Sequence, residues 1–271
     1  MTRLIVRVLF YVALGVFLVV VLLPIYYIWL PAFEEGGRFY STPLNYFPGD
    51  FTLDRFRYAF RDLPVGRYML NTAFLATTST VIALIISLLA AYAIARIQFP
   101  GANAILVGLL LSSVLPWSAT IVPLFDLYQE LQLMDTLQGL LLLYVSALLP
   151  LTVWVLVSFI RQIPREIEDA ARVDGASLPG LIRHIVAPMA GPGIATMFAI
   201  NFIVSWNEFF IPLIFARGPR SKVINSALAE QYAGNLGMMS TISILSTIPV
   251  FAVTLLLQRR IMEGIVVGAI K

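Results

Sequence analysis

Charge, cysteine and histidine are scarce in this sequence, and each scarcity excludes a class of protein. Only 12% of the 271 residues are charged, whereas soluble domains carry roughly 25%. There is no cysteine, which excludes disulfides, thiolate metal sites and cysteine nucleophiles. The single histidine, His184, excludes a metal site built from several histidines. No Gly-Lys dipeptide occurs, so the phosphate-binding loop G-x-x-x-x-G-K-[ST] is absent and we expect no ATPase site and no cofactor in this chain.

Apolar residues dominate what is present. They make up 59% of the chain, more than one globular core could hide from water. A membrane-spanning helix needs about 20 consecutive apolar residues. Six charge-free runs meet this length, and they are residues 8–33, 68–95, 97–125, 136–160, 185–207 and 231–258. The sequence therefore predicts an all-α membrane protein with six transmembrane helices.

The basic residues are scattered along the edges of these runs. The net charge of +3 therefore indicates membrane edges and lipid rather than a nucleic-acid partner. Arg3 and Arg7 precede the first run, which is too long for a signal peptide, so we expect an uncleaved helix. Lysine and arginine slightly favour a topology with both termini in the cytoplasm.

The segment 161–187 has the pattern of amphipathic helices rather than of a plain connector. Pro164 suits a first helical turn, and acidic residues follow it, near the positive end of the helix dipole. Ile167, Ala170, Ala171 and Val173 predict one apolar face. Gly175 stands where a helix ends, and Ser177 can begin a second short helix, with the next span starting at Pro188. This predicts a cytoplasmic helix-turn-helix, which acts either as a lever for a soluble partner or as an interfacial anchor.

The same segment resembles the cytoplasmic loop of type I permease subunits of bacterial ABC importers. That family has Glu-Ala-Ala, three residues, Gly, nine residues, Ile, one residue and Leu-Pro. The positions that fall at these spacings are Asp169, Ala170, Ala171, Gly175, Ile185 and Pro188. Asp169 replaces the Glu, Ala187 replaces the Leu, and Ile182 stands where an aromatic residue is common.

The likeness extends over most of the chain. Ala-Tyr-Ala-Ile-Ala-Arg at 91–96, Pro-Leu-Phe at 123–125, Trp-Asn-Glu at 206–208 and the tail 258–271 are similar to family segments. The tail is similar to the carbohydrate-uptake branch, and within it to the shorter, maltose-type permease subunit.

The resemblance implies a permease fold in which residues 1–66 form the first helix and an external loop, 67–258 the permease core and 259–271 a cytoplasmic tail. It implies half of a translocation path for a sugar, a di- or oligosaccharide. The partners are a second permease of a different chain, two ATPase subunits that hold ATP and Mg²⁺, and an external solute-binding protein, in a bacterial or archaeal cytoplasmic membrane. The implied ATPase-coupling residues are Glu168, Asp169, Ala170, Ala171, Asp174, Gly175 and Ile182.

Two further sets of residues are candidates. Polar and aromatic side chains within the spans can bind sugar hydroxyls and faces or can simply pack helices, and they are Asn71, Trp117, Tyr144, Asn201 and Asn207. The tail offers a second ATPase contact at Gly264, Gly268 and Lys271. Permeases for glycerol phosphate or polyamine are alternatives, and so is an ion-driven secondary transporter, although the spans lack the ionisable residues that such carriers use.

Overall fold

The computed structural model describes residues 2–34, 47, 49–97, 99–114, 117–231 and 234–269, without the side chains of 2, 117–119, 231 and 259–269. In these residues the regular structure is helical, apart from one isolated antiparallel bridge between Glu34 and Phe51. The helices are α1 Thr2–Trp29, α2 Asp54–Arg61, α3 Val65–Arg96, α4 Ala102–Val114, α5 Trp117–Glu130, α6 Leu137–Arg161, α7 Arg165–Val173, α8 Leu178–Leu181, α9 Ala187–Met189, α10 Gly191–Asn207, α11 Phe210–Phe215, α12 Ile224–Gln231 and α13 Leu236–Ala269. The predicted all-α class is confirmed.

Four helical segments are long and apolar enough to cross a membrane, and they are Arg3–Phe33, Val65–Arg96, Leu137–Arg161 and Leu236–Gln258. A fifth span is available if Leu178–Met189 and Gly191–Asn207, bent by 78° at their junction, count as one. The predicted run 97–125 is divided instead into α4 and α5, of 13 and 14 residues. Neither reaches the length that a bilayer requires, so the count of six is not confirmed.

The first of two compact units comprises residues 1–67 and 227–248. Its α1 is exposed along its most apolar stretch, which makes the helix a surface for lipid or for another apolar helix rather than for water. A 3-10 turn, Leu30–Phe33, ends α1. Phe33 then stacks on Phe51 with a ring separation of 5.5 Å, and the Arg55 guanidinium donates to the carbonyl oxygen of Glu34.

The second unit comprises residues 68–226 and 249–271 and is organised around α6. α6 packs against α4, α10 and α11. One apolar cluster surrounds Leu156 and Val157 of α6 and includes Ala91 of α3 and Met197 of α10. A second cluster surrounds Leu143 and Tyr144 and includes Phe215 of α11. α6 thus contributes to two clusters within this unit.

Three prolines inside the predicted spans leave their helices continuous, whereas Pro116 lies between α4 and α5 in the sequence. Pro24, Pro150 and Pro249 lie inside α1, α6 and α13, each of which is continuous as a helix. The break recorded among the apolar helices lies at Ala190, before the Gly-Pro-Gly sequence that starts α10. The predicted start of the fifth span at Pro188 is therefore wrong, because α9 ends at Met189 and the long helix begins at Gly191.

Candidate functional site

The segment with the strongest sequence signal forms the helix α7. Pro164 is its N-cap residue, and the acidic residues Glu166 and Glu168 occupy its first turn, where the helix dipole favours negative charge. At the other end Gly175 has a φ of +84°. The N–H of Gly175 donates to the Arg172 carbonyl and the N–H of Ala176 donates to the Ala171 carbonyl. This is a Schellman motif, so the predicted helix end at Gly175 is confirmed.

A buried ion pair attaches α7 to the end of α3. The Arg96 Nε atom lies 2.6 Å from Glu168 Oε1, and the two side chains are only 7% and 3% exposed. Arg96 also donates from Nη2 to the carbonyl oxygen of Ile163, at 2.7 Å. One guanidinium of α3 therefore holds both α7 and the short connection between α6 and α7.

Tyr92, one turn before Arg96, extends this network. Its hydroxyl donates to Glu168 Oε2 at 3.2 Å and accepts a hydrogen bond from Arg172 Nη2 at 3.1 Å. That hydrogen bond raises the pKa of Arg172 above its ordinary value. Arg172 also lies 3.7 Å from Asp169 in an exposed pair, which contributes little stability.

The buried side of α7 is not the apolar face that the sequence predicts. In the described chain, Glu168 is the one buried residue of α7, while Ala171 packs partly against the apolar cluster around Leu156. Ala170 is exposed, and the Val173 side chain is 87% exposed. Ile167, Ala170 and Val173 are exposed, so most of the predicted apolar residues are available for contact from outside the chain, while Glu168 lies on the buried side, where it contacts Arg96 and Tyr92.

The second short helix continues from this turn. Ser177 takes the N-cap position of α8 without a hydrogen bond from its side chain. Leu181 is buried and Ile182 packs partly against the apolar cluster. A π-helical turn, Ile182–Val186, links α8 to α9. The His184 ring lies exposed, with Nδ1 3.0 Å from the Gly180 carbonyl oxygen.

The outward side of the α7 segment carries apolar side chains and charges of both signs. The carboxylates of Glu166, Asp169 and Asp174 are exposed, and so are the guanidinium groups of Arg165 and Arg172, together with Ala170 and Val173. The charges on this side therefore nearly balance.

Most of the polar side chains predicted for a substrate path are occupied inside the chain. The Asn71 amide donates to the carbonyls of Arg220 and Lys222. Asn201 on α10 is 2% exposed, and its amide donates to Thr152 of α6 at 2.9 Å.

The remaining predicted positions differ in exposure. Tyr144 is buried in the cluster around Phe215, whereas Asn207 is exposed and donates to the Ile203 carbonyl. The Trp117 side chain lies outside the described residues. In the tail, Gly264 and Gly268 belong to α13, while Lys271 lies outside the described residues. Among the residues described, no group of three His, Asp or Glu side chains is placed to hold a metal ion.

Sequence reasoning missed the roles of Arg96 and Tyr92. The signal available was an arginine at the end of an apolar run, together with an acidic residue in a helix at the same membrane edge. The partners are 72 residues apart in the chain, so nothing local paired them.

Comparison with known proteins identifies the class. Residues 83–266 match the family described as binding-protein-dependent transport system inner membrane component. The chain belongs to this family, and it is a multi-pass component of the inner membrane.

Individual relatives agree with that assignment. The chain is 33% identical to the trehalose transport system permease protein SugB of Mycobacterium tuberculosis (strain CDC 1551 / Oshkosh), over 83% of this chain and 84% of that protein. It is 31% identical to the trehalose/maltose transport system permease protein MalG of Thermococcus litoralis, over 93% and 92%. A crystal structure of a bacterial ABC transporter for the acidic polysaccharide alginate contains a chain with the same fold, at a TM-score of 0.79 and 22% identity over 96% of this chain and 97% of that one.

Proposed function

We propose that this chain is one of two permease subunits of an ABC importer for a di- or oligosaccharide, and that α7 is its docking helix for the ATPase. The observation that carries the proposal is the two-sided character of α7. One side is tied into the membrane core through Glu168 and Arg96, and the other presents Ala170 and Val173 outward. A helix anchored on one side and free on the other can transmit the motion of a soluble partner.

The partners follow from this arrangement and from the family. Two separate ATPase subunits bind ATP and Mg²⁺, since this chain has no phosphate-binding loop. A second permease of a different sequence completes the path, and an external solute-binding protein delivers the sugar. ATP shifts the assembly between inward-facing and outward-facing states by binding one of them more tightly. Both termini lie in the cytoplasm, where Gly264, Gly268 and Lys271 provide a second contact with the ATPase.

The distribution of charge favours a sugar over a small ion such as glycerol phosphate or a polyamine. The runs 68–95, 136–160 and 185–207 contain no ionisable acid or base apart from tyrosine. A path for glycerol phosphate or for a polyamine needs opposite charges that stabilise the ion away from water. The names of several relatives refer to trehalose, maltose and diacetylchitobiose, and one refers to sulfoquinovosyl glycerol. These observations favour a di- or oligosaccharide over the charged alternatives and over an ion-driven carrier.

A matched pair of substitutions at Val173 tests the docking role. Val173→Asp places a negative charge at an exposed apolar position of α7, while Val173→Thr keeps the shape of the side chain without a charge. Because Val173 is 87% exposed, neither change disturbs packing inside the chain. We expect Val173→Asp to lower ATP-driven uptake by about tenfold or more, in line with the 2–5 kcal/mol range of disrupted interface contacts, and Val173→Thr to retain uptake.

The assay is uptake of labelled trehalose, maltose and diacetylchitobiose into proteoliposomes that contain the ATPase, the partner permease and the binding protein. Co-purification of the ATPase with each variant separates weak docking from poor insertion. Uptake that needs an ion gradient and no ATP overturns the importer assignment. Uptake of glycerol phosphate or spermidine in preference to the sugars overturns the substrate class.

A further inference from the structure

We infer that Arg96 and Glu168 form a joint that makes α3 move together with α7. This inference rests on the proposed function, because it concerns the way motion of the docking helix enters the membrane. Both residues are positioning residues, since neither lies on the exposed side of α7. The proposal adds α3 to the helices that respond directly to the ATPase, besides α6 and α10, which are covalently continuous with the docking segment.

The joint is polar where a helix contact is ordinarily apolar. Glu168 is the buried residue of α7 in the described chain, and its carboxylate is contacted by Arg96 Nε and by the Tyr92 hydroxyl. An apolar contact tolerates sliding, because burial has no preferred direction. A charged hydrogen bond constrains both distance and angle, so this contact fixes where α7 sits on α3.

Rotation of α7 about its own axis is restrained as well. Glu168 and Arg172 are one turn apart on the same side of the helix, and both are bonded to the hydroxyl of Tyr92. Two attachment points along the axis hold a helix in one orientation, whereas a single point would leave it free to turn.

Arg96 also ties in the end of α6. Its Nη2 atom donates to the Ile163 carbonyl at 2.7 Å, and Ile163 is 5% exposed. Arginine can make this second contact because its guanidinium carries several donors in a fixed plane. The end of α3, the end of α6 and the start of α7 therefore meet at one side chain.

The route towards α10 is built differently. Between α7 and α10 lie the turn at Gly175, the π-helical turn Ile182–Val186 and the 78° bend at Ala190. Such irregular segments are places where a helix can flex. A displacement of α7 consequently reaches α3 through a direct ion pair but reaches α10 through three irregular segments.

The test uses two variants and one control. Glu168→Gln removes the charge that neutralises Arg96 and keeps the size of the side chain. Arg96→Lys keeps the charge but cannot bond Glu168 and the Ile163 carbonyl in the same planar geometry. Arg161→Gln is the matched control, because Arg161 ends α6, is exposed, and donates to exposed Asn103 at 3.3 Å.

The first readout is the ratio of sugar taken up to ATP hydrolysed in the complete assembly. A variant that merely inserts poorly lowers both quantities and leaves their ratio unchanged. We expect Glu168→Gln and Arg96→Lys to lower the ratio at least about fivefold, which is the lower end of the effects typical of allosteric coupling. Arg161→Gln should keep the ratio within about twofold of the wild-type value, because Arg161 takes no part in the joint. An unchanged ratio in both joint variants overturns the joint, while ATP-dependent sugar uptake by the wild type leaves the proposed function intact.

The second readout is a distance, and the absence of cysteine makes it accessible. Nitroxide labels are attached at Val81→Cys on α3 and at Arg165→Cys on α7. Along α3, Val81 lies about 22 Å from Arg96 at 1.5 Å per residue, so the first label reports on the part of α3 away from the joint. Double electron–electron resonance then measures the separation of the labels without nucleotide and with ATP. The joint predicts one narrow distribution, the same in both states, which broadens in Glu168→Gln. A wild-type distance that changes with ATP overturns the joint whether or not the assembly transports sugar.

Discussion

Asn201 and Thr152 offer a test that separates packing from substrate contact. The Asn201 amide donates to the Thr152 hydroxyl at 2.9 Å, and that hydroxyl donates to the Leu148 carbonyl at 2.7 Å. Both side chains are almost fully buried, at 2% and 0% exposure. If the hydrogen bond serves only to join α10 to α6, its loss lowers stability and leaves sugar affinity unchanged.

The two single substitutions have unequal costs. Asn201→Val removes the donor, and the Thr152 hydroxyl still has the Leu148 carbonyl as its acceptor. The cost is then that of one hydrogen bond between membrane helices, about 0.6 kcal/mol on average and at most about 1.7. Thr152→Val leaves the Asn201 amide buried without its partner in the described chain, which costs about 1–3 kcal/mol. We therefore expect Thr152→Val to be the more destabilising change, by about 1 kcal/mol.

The assay has two parts. Reversible unfolding in mixed micelles of mild detergent and SDS gives the free energy of unfolding, and sugar uptake as a function of concentration gives the apparent KM. We expect Asn201→Val to keep the KM within about twofold, because a residue that does not touch the sugar changes no binding energy. Thr254→Val is the control, since Thr254 is exposed, donates to the Val250 carbonyl of its own helix, and is not among the candidate substrate residues.

Two results would refute this reasoning. A greater loss of stability in Asn201→Val than in Thr152→Val would mean that the amide has a different partner. A tenfold increase in KM for Asn201→Val would place Asn201 on the substrate path during transport, in a state where it has left Thr152.

Two glycine comparisons complete the set. Gly175→Val and Gly101→Val both force a branched residue into a positive φ, of +84° and +91°, and each should lower the free energy of unfolding by about 1–3 kcal/mol. Only Gly175→Val should also reduce sugar uptake per folded molecule. Equal uptake by the two variants would contradict a docking role for the turn at Gly175. In α10, a Cβ built on Gly193 would lie 2.6 Å from Phe159 of α6, whereas one on Gly191 meets nothing within 4 Å. Gly193→Ala should therefore destabilise by about 1–3 kcal/mol and Gly191→Ala should not, as thermal unfolding of the two variants would show.

The features that follow from local sequence were predicted well. The Schellman end at Gly175 depends on a glycine in the right place, and the spans α3 and α6 depend on long stretches without charge. Both signals lie within one continuous stretch of chain. The division of 97–125 into α4 and α5 was not predicted, although Pro116 lies between the two helices in the sequence and proline is a signal for a helix boundary.

The pairing of buried polar groups could not be predicted in the same way. Glu168 in a first turn has a sufficient local explanation in the helix dipole, and this explanation predicts a solvated side chain. Its burial depends on Arg96, and the partner of Asn201 depends on the packing of α10 against α6. A sequence specifies such pairs only through the complete fold, so a polar residue inside an apolar run is ambiguous between a binding site and a helix contact.

The use of an ion pair at the joint has a consequence for how tightly α3 follows α7. Replacing a buried pair by apolar residues is often neutral or stabilising, whereas removing one partner costs about 3–5 kcal/mol. The pair between Arg96 and Glu168 therefore does little for stability that leucine and valine could not do. Its distinctive property is that partial displacement is penalised steeply, since each ångström of separation leaves two charges poorly solvated. With the proposed joint, α7 is therefore either bound to α3 in one geometry or detached from it, with no stable position between. While α7 stays bound, α3 moves by the same amount as α7.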